Sequence, residues 1–175
     1  MSPEDALAST RERPAMATTM TQVEDFLAQR RVAIVGASRD PKELSYLLWQ
    51  ELRQRRYEAI PVNPATTQLD GERCYASVAE IQPPVDAALL MTPPAASEQV
   101  VEDCAAAGVR HVWLYRGMSG GSVSEGAITR ARAHGMSLVV GHCPYMFLPG
   151  TQLPHRIHGA VKRLTGGYPK ASAAR

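Results

Sequence analysis

Three cysteines, a 6% share of aromatic residues and no stretch of eighteen consecutive apolar residues set the first limits on this 175-residue chain. Cys74, Cys104 and Cys143 are odd in number and show neither a C-x-x-C pair nor a metal-like spacing with histidine. A disulfide-stapled or zinc-built scaffold is thereby excluded, and reduced thiols in the cytoplasm are the expectation. The absence of a long apolar run argues against a membrane span. The stretch from Met1 to Thr19 carries Glu4, Asp5, Arg11, Glu12 and Arg13 without an apolar core, so it does not read as a secretory signal.

Acidic residues are also missing from one part of the chain. Glu125 is the last, and the seven lysines and arginines after it make the tail basic, while seventeen acids face twelve bases up to that point. Such a tail suits phosphates, nucleic acid or an acidic partner surface, and reads equally well as a solvated tail. It holds no nucleic-acid motif and no aromatic stacking platform, so no nucleic-acid partner is expected from the sequence.

What is present is an ordinary globular composition, 45% hydrophobic and 21% charged, in a chain long enough to build a core without staples. Residues 1–19 lack apolar periodicity and read as a flexible leader. The folded unit is expected over 20–148, beginning with a short helix in which Thr21 and Glu24 have capping-box spacing ahead of Val23, Phe26 and Leu27. Residues 149–175 read as a basic extension with one helix near 155–164.

Five apolar segments predict buried strands: 31–35, 57–62, 85–91, 109–115 and 137–141. Their near-continuous hydrophobicity is the pattern of strands covered on both faces. Helical patterns lie between them. Leu44, Leu47, Leu48 and Leu52 share one helix face, with Asp40 as the expected cap, Pro41 at the first position and Glu43 closing the box. Two further helices over 95–107 and 124–134 run into Gly108 and Gly135, where a left-handed cap is wanted. Ser77 and Glu80 predict a short helical turn before Pro83.

Strands that alternate with helices imply parallel crossovers, hence an α/β, Rossmann-like, doubly wound parallel five-stranded sheet with helices on both faces, in the expected order 3-2-1-4-5. Ligands of such sheets sit outside the carboxyl ends of the strands where the order reverses, expected here between the first and fourth strands. After the first strand comes Val35-Gly36-Ala37-Ser38-Arg39-Asp40-Pro41. Gly36 permits a tight turn, Ser38 offers a hydroxyl, and the helix start that follows offers amides to an anion, with phosphate the natural guest. The full G-x-G-x-x-G fingerprint is absent. Arg39 and Lys42 add charge that suits a phosphate-rich nucleotide, though each also reads as an ordinary surface residue.

Asn63 and Pro64 end the second strand. A site for NAD would usually place an acid there, whereas neutral Asn63 repels no additional phosphate; it also reads as a turn-former. Met91, Thr92 and Pro93 form an apolar, non-hydrogen-bonding lip after the third strand. Beyond the fourth, Trp113 reads as core, and Arg116 and Gly117 border the far end of a long ligand. His142 and Cys143 adjoin the cleft edge, but neighbours on a strand point to opposite faces, so they do not form a nucleophile–base couple. Cys143 reads as a small buried apolar residue.

Taken together, VAIVGAS (32–38), YEAIPVNP (57–64), Gly71 with Cys74, Tyr75 and Ser77, PVDAALL (84–90) and GVRHVWLYRG (108–117) resemble the CoA-binding protein family. Its members are single-domain relatives of the CoA-binding domain of the succinyl-CoA synthetase alpha subunit, and the resemblance covers roughly residues 23–147. It implies that coenzyme A or an acyl-CoA is bound, with Gly36, Ala37 and Ser38 at the phosphates, Asn63 and Pro64 beside the adenosine, and Met91, Thr92 and Pro93 along the third strand's end. Leu114-Tyr115-Arg116-Gly117 differs from the family, which often has glutamine after the leucine. The larger synthetase carries a phosphohistidine loop and a nucleotide-grasp partner that this chain is too short to hold. The expected role is therefore a non-catalytic sensor, carrier or partner subunit, alone as a homo-oligomer or with a partner enzyme; an NAD(P)-dependent oxidoreductase is the alternative.

Overall fold

The computed structural model describes residues 18–117, 120–150 and Pro169. In chain order the elements begin with α1 (Met20–Ala28), β1 (Arg31–Val35), α2 (Leu44–Gln54) and β2 (Glu58–Val62). A small hairpin follows, β3 (Gln68–Leu69) with β4 (Glu72–Arg73), then a 3-10 turn (Val78–Glu80), β5 (Ala87–Leu90) and α3 (Pro94–Ala106). Next come β6 (His111–Leu114), a second hairpin of β7 (Arg116–Gly117) and β8 (Gly120–Gly121), α4 (Glu125–Ala133), β9 (Ser137–Val140) and a 3-10 turn (Pro144–Met146).

The five apolar segments pair into one parallel sheet in the order β2-β1-β5-β6-β9. Side chains that alternate along each strand feed two cores. Ala33, Val35, Ala88, Leu90, Val112, Leu114 and Leu138 pack under α3, α4 and the 78–80 turn. Val32, Ile34, Ala87, Leu89, Trp113 and Val139 pack under α1, α2 and Leu148. That two-sided burial is why the strands read as unbroken apolar runs. Trp113 is fully buried as expected, edge-on to Phe26 and Phe147, with its indole N–H donating to the His142 carbonyl at 2.9 Å.

The doubly wound parallel class is as expected, but the third sheet strand lies beside the first, giving 2-1-3-4-5 where 3-2-1-4-5 was expected. The reason is in the residues. Pro61 interrupts β2 with a position that has no N–H to donate, which confines that strand to an edge. Among the described residues no strand pairs along the outer side of β2, which meets Tyr75 in an isolated bridge and accepts from the Trp49 indole through the Ala59 carbonyl at 2.9 Å. Ala87–Leu90, buried at every position, takes the centre.

Three caps also differ from expectation. Thr19, not Thr21, caps α1 in a reciprocal box with Gln22, and Thr18 is already buried, its hydroxyl accepting from the Val140 amide at 2.9 Å. The second helix starts at Leu44 rather than just after Asp40, with Glu43 at the cap and no side-chain bond there. Ser77 makes no capping bond either; Glu80 instead accepts from the Ala76 amide. Ser124 caps α4 by accepting from Ala127, and Gly108 and Gly135 take positive φ after their helices as expected. No described helix is long and apolar enough to cross a membrane. The leader through residue 17 and the expected helix at 155–164 lie outside the described residues.

Candidate functional site

The chain leaves β1 through α2 to reach β2 on one side, then returns to β5 on the other. The reversal therefore opens a crevice at the carboxyl ends of β1 and β5, the first and third sheet strands, and not between the first and fourth. Gly36 sits in it at φ +90°, and a Cβ there would stand 3.1 Å from the Met91 carbonyl carbon and oxygen and 3.2 Å from the Thr92 nitrogen. No other residue type fits both that conformation and that approach, so the first turn and the third strand's end are held in contact by the absence of a side chain.

The turn is anchored to β2 as well. Gly36 and Ala37 donate their amides to the Val62 carbonyl at 2.9 and 3.3 Å, and the Asn63 side-chain amide donates to the Ala37 carbonyl at 2.8 Å. Asn63 also accepts from the Ala65 amide at 2.9 Å, so the turn-former and the site residue are the same group doing both. Pro64 is exposed next to it. Gly36, Ala37, Asn63, Met91 and Thr92 are thus brought together as one constellation.

The amides of the loop are largely satisfied from within. Ser38 donates its N–H to the Ser45 hydroxyl at 3.0 Å, the Asp40 amide to the Ser38 hydroxyl at 3.0 Å, and the Lys42 amide to the Asp40 carboxylate at 2.9 Å. An anion here meets the start of α2, whose cap makes no side-chain bond, and must displace hydroxyl and carboxylate oxygens to reach the loop amides.

Arg39, Lys42 and Arg116 are exposed, and their side chains make no hydrogen bond or ion pair among the described residues. Elsewhere Arg31, Arg53, Arg55, Arg110 and Arg130 are all paired with carboxylates. Unpaired cations at this position add positive potential beside the crevice, although exposed Arg56, away from it, also makes no side-chain hydrogen bond or ion pair among the described residues. Asp40 and Glu43 share the loop, so its charge is balanced locally rather than strongly positive.

Met91 and Thr92 are half-buried, and Pro93 stands at the cap of α3, so a second helix opens on the crevice. Thr92 is not the purely apolar lip expected, because its hydroxyl lies 3.1 Å from that of fully buried Ser97. One strand further along, the β7–β8 hairpin carries Arg116 and Gly117. Buried Ser122 pins it, donating through its hydroxyl to the Leu90 carbonyl at 2.8 Å. Gly121 makes the hairpin possible, since a Cβ there would lie 2.3 Å from the Tyr115 carbonyl oxygen.

Cys143 is half-buried rather than buried as expected. It faces Tyr115 and Tyr145, whose phenols are both pushed up to about 12, chiefly by burial. His142 turns inward to Phe147, so the adjacent His and Cys diverge as strand geometry requires. The other two thiols are buried, and burial pushes Cys104 up to about 12. Burial of this kind disfavours the thiolate at Cys74 and Cys104.

Sequence reasoning missed the Tyr46–Asp70 contact, in which the phenol donates to the carboxylate while Gln50 donates to the same oxygen at 2.8 Å. It fastens the β3–β4 hairpin to α2 beside the Asn63 loop. The signal was the Asp70-Gly71 pair, a two-residue hairpin turn with both residues at positive φ.

Residues 30–149 match the model of a family described as the CoA binding domain. The chain is 30% identical over 125 residues to the alpha subunit of the ADP-forming acetate–CoA ligase II of Pyrococcus furiosus, covering 67% of this chain and 27% of that one. It is 25% identical over 123 residues to the uncharacterized protein YneT of Bacillus subtilis, covering 70% of this chain and 88% of that one. Among solved structures, a hypothetical protein from Pyrococcus horikoshii superposes with a TM-score of 0.67 at 25% identity, covering 74% of this chain and 89% of the other. A conserved hypothetical protein from Pyrococcus furiosus gives 0.59 at 30% identity, covering 65% and 95%. The chain spans only 12–27% of the length of three acetate–CoA ligase proteins that it matches.

Proposed function

The chain belongs to the CoA-binding domain family, and on that premise we propose that it holds coenzyme A or an acyl-CoA along the carboxyl ends of β2, β1 and β5 without performing chemistry on it. The observation that carries this reading is the side-chain-free contact of Gly36 with Met91 and Thr92, which sets the backbone of the first turn and of the third strand's end side by side at the reversal point. In the proposal Gly36, Ala37 and Ser38 with Arg39 and Lys42 receive the phosphates. Asn63 and Pro64 border the adenosine, Met91, Thr92 and Pro93 the pantetheine arm, and Arg116 and Gly117 its far end.

Support for a non-catalytic role comes from the hydroxyls of Ser38, Ser45, Thr92 and Ser97, which are engaged in structural bonds. We assign residues 20–148 to ligand binding, with 149–175 as a basic extension, in a chain that acts as a sensor, carrier or partner subunit. Cysteines outside any disulfide suit the reducing cytoplasm.

Isothermal titration of the purified chain with CoA and acetyl-CoA, with NADP as the control, tests the proposal. Saturable heat with the two thiol-bearing or acylated ligands supports it. Silence at millimolar CoA overturns it, and saturation by NADP alone replaces it with the oxidoreductase-like reading.

A further inference from the structure

We infer that Thr92 is a hydrogen-bond acceptor for the pantetheine arm, an inference that rests on the CoA reading above. The argument is a count of protons. Ser97 is completely buried, with its hydroxyl oxygen 3.1 Å from the Pro93 carbonyl and 3.1 Å from the Thr92 hydroxyl. A carbonyl only accepts, and a serine has one proton. With both contacts made, Ser97 donates to Pro93 and Thr92 donates to Ser97. No solvent reaches Ser97 to supply a substitute, so burial locks the direction of the pair.

Thr92 then has no proton left for a ligand. It presents lone pairs, which a phosphoryl oxygen avoids and an N–H or O–H seeks. The sheet order says which part of the ligand that is. Adenosine at the end of β2 and diphosphate at the turn after β1 run the ligand toward β5, each step about 4.8 Å. The next donors along CoA are the hydroxyl and amide N–H groups of the pantetheine arm. Thr92 stands there, its nitrogen 3.2 Å from the missing Cβ of Gly36. Ser97 is a positioning residue that acts through Thr92.

The test is titration of the full chain with CoA and with 3′-phosphoadenosine 5′-diphosphate, which lacks the pantetheine arm. Thr92→Val is expected to weaken CoA about five- to tenfold and leave the nucleotide within about twofold, with Thr92→Ser restoring CoA. Ser97→Ala, which keeps the Thr92 hydroxyl but frees its proton, is expected to weaken CoA about two- to threefold. Unchanged CoA affinity in Thr92→Val, an equal loss for the nucleotide, or tighter CoA binding by Ser97→Ala overturns the assignment while the CoA reading stands. A wild-type chain that takes up neither ligand overturns the CoA reading itself.

Discussion

Asn63 donates through its side-chain amide to the Ala37 carbonyl at 2.8 Å, tying the end of the second strand to the turn after the first. With the Gly36 and Ala37 amide bonds to the Val62 carbonyl, this bond holds together the two places where the ends of a nucleotide are proposed to rest. Asn63→Asp keeps the size and removes the donor, setting a carboxylate against a carbonyl and beside the proposed phosphates. The expected result is a loss of about 1–3 kcal/mol in urea unfolding and at least about tenfold in CoA affinity by calorimetry. Undiminished affinity would show that the bond does not shape the site.

Gly36→Ala asks a side chain to occupy φ +90° within 3.1 Å of the Met91 backbone. Strain of that kind costs about 1–3 kcal/mol, and relief requires β5 to move away from the turn. A lowered melting temperature together with abolished CoA binding is expected. Retention of both would mean the crevice is wider than the contact indicates.

The loop charges act in opposite directions. Arg39→Ala and Lys42→Ala each remove an unpaired exposed cation and are expected to weaken CoA about two- to fivefold at low salt, an effect that fades as salt screens it. Asp40→Ala frees the Lys42 amide and removes a like charge, so affinity is expected to rise by a similar factor. Calorimetry at two ionic strengths reads both signs, and tighter binding on loss of either cation would refute the placement of the phosphates.

Tyr115 and Tyr145 titrate late. Burial is the main cause for each, followed by the Cys143 thiol for Tyr115 and by Glu51 for Tyr145, and both phenols stand at about 12 against an ordinary 10. A raised acid pKa means the fold favours the neutral form. The contribution to stability is complete below about pH 10 and is lost as pH rises toward about 12. Alkaline unfolding midpoints should fall across that window, and phenolate absorbance should show Tyr115 and Tyr145 among the late tyrosines, with Tyr46 also raised by its bond to Asp70; loss of the late phase on wild-type titration would disprove the burial.

The sequence by itself determined the layered α/β class, the two faces of each strand and the turn at Gly36, because a strand buried on both sides and a glycine before a helix leave local marks. It also held the clue to strand order in Pro61, whose missing N–H bars β2 from the interior of the sheet, and the clue to the first hairpin in Asp70-Gly71. Only the tertiary structure decided that β5 lies against β1, that Asn63 reaches Ala37, and that Ser97 fixes the direction of the Thr92 hydroxyl. Those are pairings across 26 residues, as in Asn63 with Ala37, or between a strand end and the inner face of a helix. The first two leave no local pattern, because hydrophobic burial chooses neighbours by the fit of whole surfaces, and polar groups then take the partners that fit leaves within reach; Thr92 and Ser97 are five residues apart, but only packing decides that Ser97 is buried and so sets the direction of their bond.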